Sequence, residues 1–203
     1  MTLDRFYPIV DSADWVARLL ALDVRLVQLR IKDLPQDELR REIDHALTLA
    51  RDAGAILVVN DYWQLAIDAR ADWVHLGQED LDTADIPALR RAGLRLGIST
   101  HDHAELDRAL GFNPDYVALG PIFPTRLKVM KWAPQGMGRI TEWKRLAGDR
   151  PLCAIGGLTA ETARQAVEAG ADMVAVVTDI TLNPRPEARV REWQRALEDG
   201  ART

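Results

Sequence analysis

Asp61 and Asp80 are the residues whose placement first suggests chemistry. Each follows a short apolar run, ILVV before Asn60-Asp61 and WVHL before Gly-Gln-Glu79-Asp80, and a helical-looking segment, YWQLAIDAR, lies between the two. Strand, helix, strand in that order requires parallel strands, so both aspartates fall just past carboxyl ends and on one edge of the sheet. Two carboxylates on one rim can share a hard cation. Magnesium suits them, because it commonly takes one or two carboxylates and completes its shell with water and substrate phosphate. The same aspartates would equally suit the starts of the following helices, where capping and the helix dipole favour Asp.

A second constellation lies in VQLRIK, where Gln28, Arg30 and Lys32 alternate with Val27, Leu29 and Ile31. With the period of two of a strand, the polar trio faces one side and the apolar trio the other. Two cations beside an amide, turned inward, call for an anion to offset their desolvation. Further along, Gly97-Ile98-Ser99-Thr100-His101 offers hydroxyls and an imidazole, although a hydroxyl there could equally cap the next helix. The longest irregular stretch, 120–136, carries Lys128 and Lys131 among three prolines and bulky apolar residues. A loop of that length in a compact fold is usually functional, and its prolines and Trp132 predict an ordered lid that would close Lys128 onto phosphate oxygens. Finally, Gly156-Gly157 leads through Leu158-Thr159 into a helix, and Val177-Thr178 ends another apolar run. Amides exposed by paired glycines, next to a helix N-terminus, form a phosphate cradle.

The elements that must position these groups follow one repeated pattern. Short runs rich in Val, Ile or Leu occur at 6–11, 26–31, 56–61, 73–78, 94–99, 116–121, 152–157 and 173–178, separated by stretches with helical spacing such as ADWVARLLAL, QDELRREIDHALTLARDAG and AETARQAVEAG. PEARVREWQRALEDG supplies a last helix. Alternating strands and helices predict a parallel sheet with helices outside, and eight such units match a closed (β/α)8 TIM barrel of the phosphate-binding type. An open doubly wound sheet is the alternative, but no G-x-G-x-x-G follows the first strand. In such a barrel the chemistry gathers where strands end, and the loops after strands seven and eight commonly hold phosphate. An edge strand with a solvated face would also show the alternation of VQLRIK, but a barrel has no edge.

Composition narrows the function classes. The 203 residues, 47% apolar and 28% charged, predict one (β/α)8 barrel domain over 1–203 with no internal linker. A formal charge of −5 and a pI near 5.4 argue against broad nucleic-acid binding. The lone Cys153 sits in an apolar run as core filler and is compatible with a reducing compartment. The start, MTLDRFYPIV, has no signal-type core, and no apolar stretch reaches the length of a membrane span, so a cytoplasmic location with no membrane partner is expected. His75 shares parity with Gly77 and is expected to be an interior, hydrogen-bonded residue. His101 and His103 are open between catalysis and a first helical turn, and Trp15, Trp143 and Trp193 read as packing residues. The exposed helices carry no heptad seam, which leaves a homo-oligomer open.

In order along the chain, VQLRIK (27–32), VVNDYWQLAI (58–67), VHLGQEDL (74–81), LRLGISTHD (94–102), YVALGPIFPT (116–125), APQG (133–136), AIGG (154–157) and VAVVT (174–178) closely resemble thiamine phosphate synthases. The resemblance implies small-molecule substrates: 4-amino-2-methyl-5-(diphosphomethyl)pyrimidine joined to a thiazole phosphate, with release of diphosphate, and of carbon dioxide where the thiazole is carboxylated. It implies a pyrimidine diphosphate site of Gln28, Arg30, Lys32, Asn60, Ser99 and Lys128, magnesium on Asp61 and Asp80, and a thiazole phosphate site of Thr125, Gly157, Val177 and Thr178. Arg30, Lys128 and Ser99 would be the catalytic residues, Ser99 close to the pyrimidine and its amino group. Where similar enzymes carry Thr-x-Thr-Lys this chain has Thr125-Arg126-Leu127-Lys128, and Thr178 stands in place of a serine. Leu127 removes a hydroxyl expected at the thiazole site and bears on which thiazole is preferred. Two other functions compete: a thiazole tautomerase of similar fold acting through His101, and a non-catalytic protein that senses thiamine precursors.

Overall fold

In the computed structural model, residues 3–125 and 132–198 are described. Among them eight strands, β1 (Phe6–Val10), β2 (Leu26–Leu29), β3 (Ile56–Asn60), β4 (Trp73–Leu76), β5 (Arg95–Thr100), β6 (Tyr116–Leu119), β7 (Leu152–Ile155) and β8 (Met173–Val176), pair in parallel with their sequence neighbours. The ring closes through β8 on β1, with Phe6 opposite Val174 and Pro8 opposite Val176. Helices alternate with the strands: α1 (Ala13–Leu20), α2 (Gln36–Asp52), α3 (Trp63–Asp68), α4 (Ile86–Arg91), α5 (His103–Gly111), α6 (Met137–Ala147), α7 (Ala160–Glu168), the four-residue α8 (Thr178–Thr181) and α9 (Pro186–Glu198). This is the closed (β/α)8 barrel expected from the alternation; seven of the apolar runs contain one strand each, and the fifth, 94–99, is overrun by β5, which extends one residue further to Thr100.

Strand parity divides the core in two. Tyr7, Ile9, Leu26, Ile56, Val58, Trp73, Tyr116, Ala118, Cys153, Met173 and Ala175 fill the barrel interior. The intervening residues, such as Val27, Leu29, Val59, Val74, Ile98 and Val117, pack with the inner faces of the helices. All of these strand residues are buried, which is why the strands read as continuous apolar runs rather than as alternating ones.

Local signals set the helix starts. Ser12 accepts from the Trp15 amide before α1, Asp85 from Ala88 before α4 and Asp102 from Glu105 before α5, while Thr159 and Thr162 form a reciprocal box before α7. Trp143 and Trp193 are fully buried, as the packing reading expects. The Trp143 indole donates to Thr100 Oγ1 at 2.9 Å, and Trp193 stacks on Phe6 with ring centroids 5.8 Å apart.

Candidate active site

The carboxyl ends of the strands surround a cavity of about 360 Å³. Gln28, Arg30, Lys32, Asn60, Asp61, Asp80, Ser99, Thr125, Gly157, Val177 and Thr178 all line it, as does His101, whereas Thr100 and His103 do not. Lys128, Lys131 and Leu127 lie outside the described residues, as does the central part of the expected lid.

Gln28 and Asn60 are buried, and Asn60 Nδ2 has no hydrogen-bond partner among the described residues, which leaves a desolvated donor for a ligand acceptor. Arg30 forms no ion pair with a described carboxylate, so its charge is open to an anion. Lys32 Nζ, by contrast, lies 2.5 Å from Asp61 Oδ2.

The acidic pair is built differently on its two sides. Asp61 sits at φ +63°, a left-handed conformation that non-glycine residues seldom adopt and that concentrates at functional sites. Asp80 Oδ2 accepts from the Gly77 amide at 2.8 Å; a Cβ at Gly77 would fall 3.1 Å from that oxygen. Burial raises the Asp80 carboxyl above its ordinary range, and the neighbouring Asp61 carboxylate raises it further. Asp61 lies ahead of Tyr62, the N-cap of α3, and so caps no helix, whereas Asp80 opens the 3₁₀ turn Asp80–Asp82 and is favoured in that first turn as the helix-start reading expects. Two carboxylates that repel each other beside a cavity fit a hard cation. Among the described residues no group of three or more His, Cys, Asp or Glu could hold a metal, so an all-protein cage is not what these residues offer. The pair fits magnesium, which takes the rest of its shell from water and phosphate.

Beneath the mouth runs a buried polar line that only partly follows from the sequence. His75 bonds Tyr116 Oη through Nδ1 at 2.7 Å and Ser99 Oγ through Nε2 at 2.8 Å; Tyr116 Oη meets Tyr7 Oη at 2.9 Å, and Gln28 Nε2 donates to Tyr7 Oη at 2.8 Å. Burial lowers the His75 pKa to about 4 and raises both tyrosines, so the line is uncharged near neutrality. The expected interior role of His75 is what the structure shows. Tyr7 and Tyr116 went unread, although each shares parity with an interior neighbour, Ile9 and Ala118.

The opposite wall is made by the ends of β6, β7 and β8. Ile122 and Phe123 donate their amides to Ile155 O and Gly156 O, pressing the β6 loop against Gly156-Gly157. Gly157 has φ +66°, and a Cβ there would fall 2.5 Å from Pro124 O, so close backbone approach and conformation both demand glycine. Val177 is the N-cap of α8, whose first amides have no partner within the helix. Asp179, which also lines the cavity, is tied to α9: its Oδ2 accepts from Trp193 Nε1 at 2.7 Å and from Arg189 Nε at 2.8 Å. Arg189 also holds Glu161, whose carboxyl falls to about 2 because of that contact. At the rim His101 stacks on Trp132 at 3.9 Å and pairs through Nδ1 with Glu105. His103 opens α5 and pairs with Glu142.

A closed parallel barrel with cations and paired carboxylates on one side of its mouth and a glycine cradle on the other defines a phosphate-binding barrel. The family model described as thiamine monophosphate synthase matches residues 6–180. A thiamine-phosphate synthase of Rhizobium etli is 62% identical over 193 residues, 95% of each chain, and one of Cronobacter sakazakii is 51% identical over 178 residues, 88% of this chain and 85% of that one. The solved structure of a thiamine phosphate pyrophosphorylase from Pyrococcus furiosus, 25% identical, superposes with a TM-score of 0.85 over 98% of this chain and 97% of its own. The chain belongs to the thiamine monophosphate synthase family.

Proposed function

We infer that this chain is a transferase of thiamine biosynthesis. It joins 4-amino-2-methyl-5-(diphosphomethyl)pyrimidine to a thiazole phosphate, or its carboxylated form, to give thiamine phosphate and diphosphate. The observation that carries the reading is the coexistence, around one cavity, of Arg30, which pairs with no described carboxylate, the Lys32–Asp61 ion pair and Asp80 with the separate cradle at Gly157 and Thr178. That arrangement offers two anion sites, one fit for a diphosphate and one for a monophosphate. A tautomerase acting on the thiazole alone needs no diphosphate site and is not favoured.

In this reading Gln28, Asn60 and Ser99 hold the pyrimidine, with the orphaned Asn60 donor meeting an acceptor of the ligand. Arg30, Lys32 and Lys128 neutralise the charge that grows on the diphosphate as its C–O bond breaks, which favours the transition state over the bound substrate. The developing cation at the pyrimidine methylene is then attacked by the thiazole nitrogen, whose phosphate is anchored by Thr125, Gly157, Val177 and Thr178. Magnesium bound at Asp61 and Asp80 would supply further charge neutralisation at the diphosphate. The uncharged line beneath Ser99 keeps the floor of the site free of competing charge. A cytoplasmic location, where both small molecules would be made, and one barrel domain over 1–203 complete the proposal.

Lys128→Ala and Asp61→Ala test it. Both are expected to abolish most turnover while leaving thermal unfolding within a few degrees of wild type, because Asp61 is outside the apolar core and truncating a charged lysine removes no apolar packing residue. Activity within about twofold of wild type in both would remove the diphosphate site.

A further inference from the structure

Tyr7, Tyr116 and His75 have no part in the chemistry outlined above. Yet with Gln28 they form an unbroken hydrogen-bonded line across the barrel that ends on Ser99 at the mouth. The line has a direction. An amide nitrogen only donates, so Tyr7 Oη accepts from Gln28 Nε2, and the single Tyr7 proton finds one acceptor among the described residues, Tyr116 Oη. The Tyr116 proton then goes to His75 Nδ1, which must present a lone pair. The imidazole proton is therefore on Nε2, donated to Ser99 Oγ. Ser99 is left with its own proton, and the cavity is the side on which it is open. The opposite direction would strand the buried Tyr7 proton without an acceptor unless the Gln28 amide were turned over.

We propose that this one-way line, whose direction is fixed by the Gln28 donor, makes Tyr7, Tyr116 and His75 positioning residues, which set Ser99 Oγ–H as a hydrogen-bond donor to an unprotonated ring nitrogen of the bound heterocycle. That the heterocycle is the pyrimidine diphosphate rests on the function proposed above; the direction of the line does not. Gly97 is part of the device. A Cβ there would fall 2.1 Å from Tyr116 Cζ, so only glycine at this point of β5 lets the Tyr116 ring lie between Tyr7 and His75. The ring stacks on His75 with centroids 5.5 Å apart, which holds its hydroxyl at the imidazole.

The direct test is the tautomer of His75 at neutral pH, read from long-range ¹H–¹⁵N correlations of ¹⁵N-histidine-labelled protein and assigned by the peak lost in His75→Gln. The Nε2–H form is expected; an Nδ1–H form or an imidazolium overturns the proposal. Kinetics give an independent arm, because Tyr116 does not line the cavity and reaches a ligand only through its hydrogen-bonded neighbours. Tyr116→Phe should raise KM for the pyrimidine diphosphate about fivefold, the equivalent of one ordinary hydrogen bond, with kcat and KM for the thiazole phosphate changed less than about twofold. In a Ser99→Ala background the same substitution should change nothing further, and equal effects in both backgrounds would contradict the proposal. Should Tyr116→Phe fail to fold, the tautomer decides. Wild-type protein that makes no thiamine phosphate would remove the function proposed above and leave the tautomer result standing.

Discussion

Gly97→Ala adds one methyl group at the most crowded point of the barrel interior. Its carbon would lie 2.1, 2.2 and 2.5 Å from Tyr116 Cζ, Cε1 and Oη. The ring has no free direction of retreat, since Tyr116 is fully buried, stacked on His75, edge-on to Tyr7 and tilted against Trp73 with centroids 5.5, 6.1 and 6.0 Å apart. Overpacking of this kind costs about 1–3 kcal/mol. Displacing the ring also parts Tyr116 Oη from Tyr7 and His75, which adds about 1–3 kcal/mol for a buried hydroxyl left unpaired. A loss of about 2–6 kcal/mol is expected, a large fraction of the stability of an ordinary domain. Urea unfolding followed by circular dichroism measures it, with an unchanged m-value showing that the same surface is exposed. The same substitution in a Tyr116→Leu background, where the ring is gone, should cost under about 1 kcal/mol. A loss below about 1 kcal/mol in the wild-type background would mean that the barrel yields at β5 and β6, and would refute the claim that Gly97 exists to admit Tyr116.

Other outcomes follow from the same geometry. His75 is neutral in the folded chain down to about pH 4, whereas the unfolded imidazole takes up a proton near 6.5, so between these values the unfolded state binds more protons and stability falls as pH falls. Its contribution is complete above about pH 6.5 and is diminished by about 3 kcal/mol at pH 4, a slope absent from His75→Gln; parallel stability profiles for the two proteins would rule this out. Gly157→Ala, which places a Cβ 2.5 Å from Pro124 O in a left-handed backbone, should raise KM for the thiazole phosphate about tenfold and leave that for the pyrimidine diphosphate nearly unchanged; equal rises in both would show that the two anion sites are not separate. Asp80→Asn keeps an oxygen for the Gly77 amide but loses the charge, and calorimetric titration with magnesium in the presence of diphosphate should show affinity weakened at least about tenfold. Unaltered affinity would take Asp80 out of the metal site.

The barrel could be read from the chain because the strands are buried on both faces along nearly all their length, with Arg95 at the start of β5 exposed, which leaves apolar runs bounded by turn residues. Period-two parity then told which residues of VQLRIK face the mouth. Short elements escaped: the 3₁₀ turn Asp80–Asp82 and the four-residue α8 are too brief to show a helical period. Capping and metal binding could not be told apart at Asp61 and Asp80 by residue type, because both favour Asp at the end of a strand; Tyr62 as the N-cap of α3 removes the helix-start reading for Asp61, while Asp80 itself opens the 3₁₀ turn and keeps both. The Tyr7–Tyr116 contact spans 109 residues and depends on closure of the ring, so nothing local announces it. Gly97 looked like any strand glycine until Tyr116 was seen to lie across it.

The most direct measurement is the formation of thiamine phosphate by the purified protein from the pyrimidine diphosphate and the thiazole phosphate, with magnesium and with magnesium chelated away. Product that depends on both substrates and falls to background on chelation is the predicted result. Absence of product with both substrates and magnesium present would contradict the central claim.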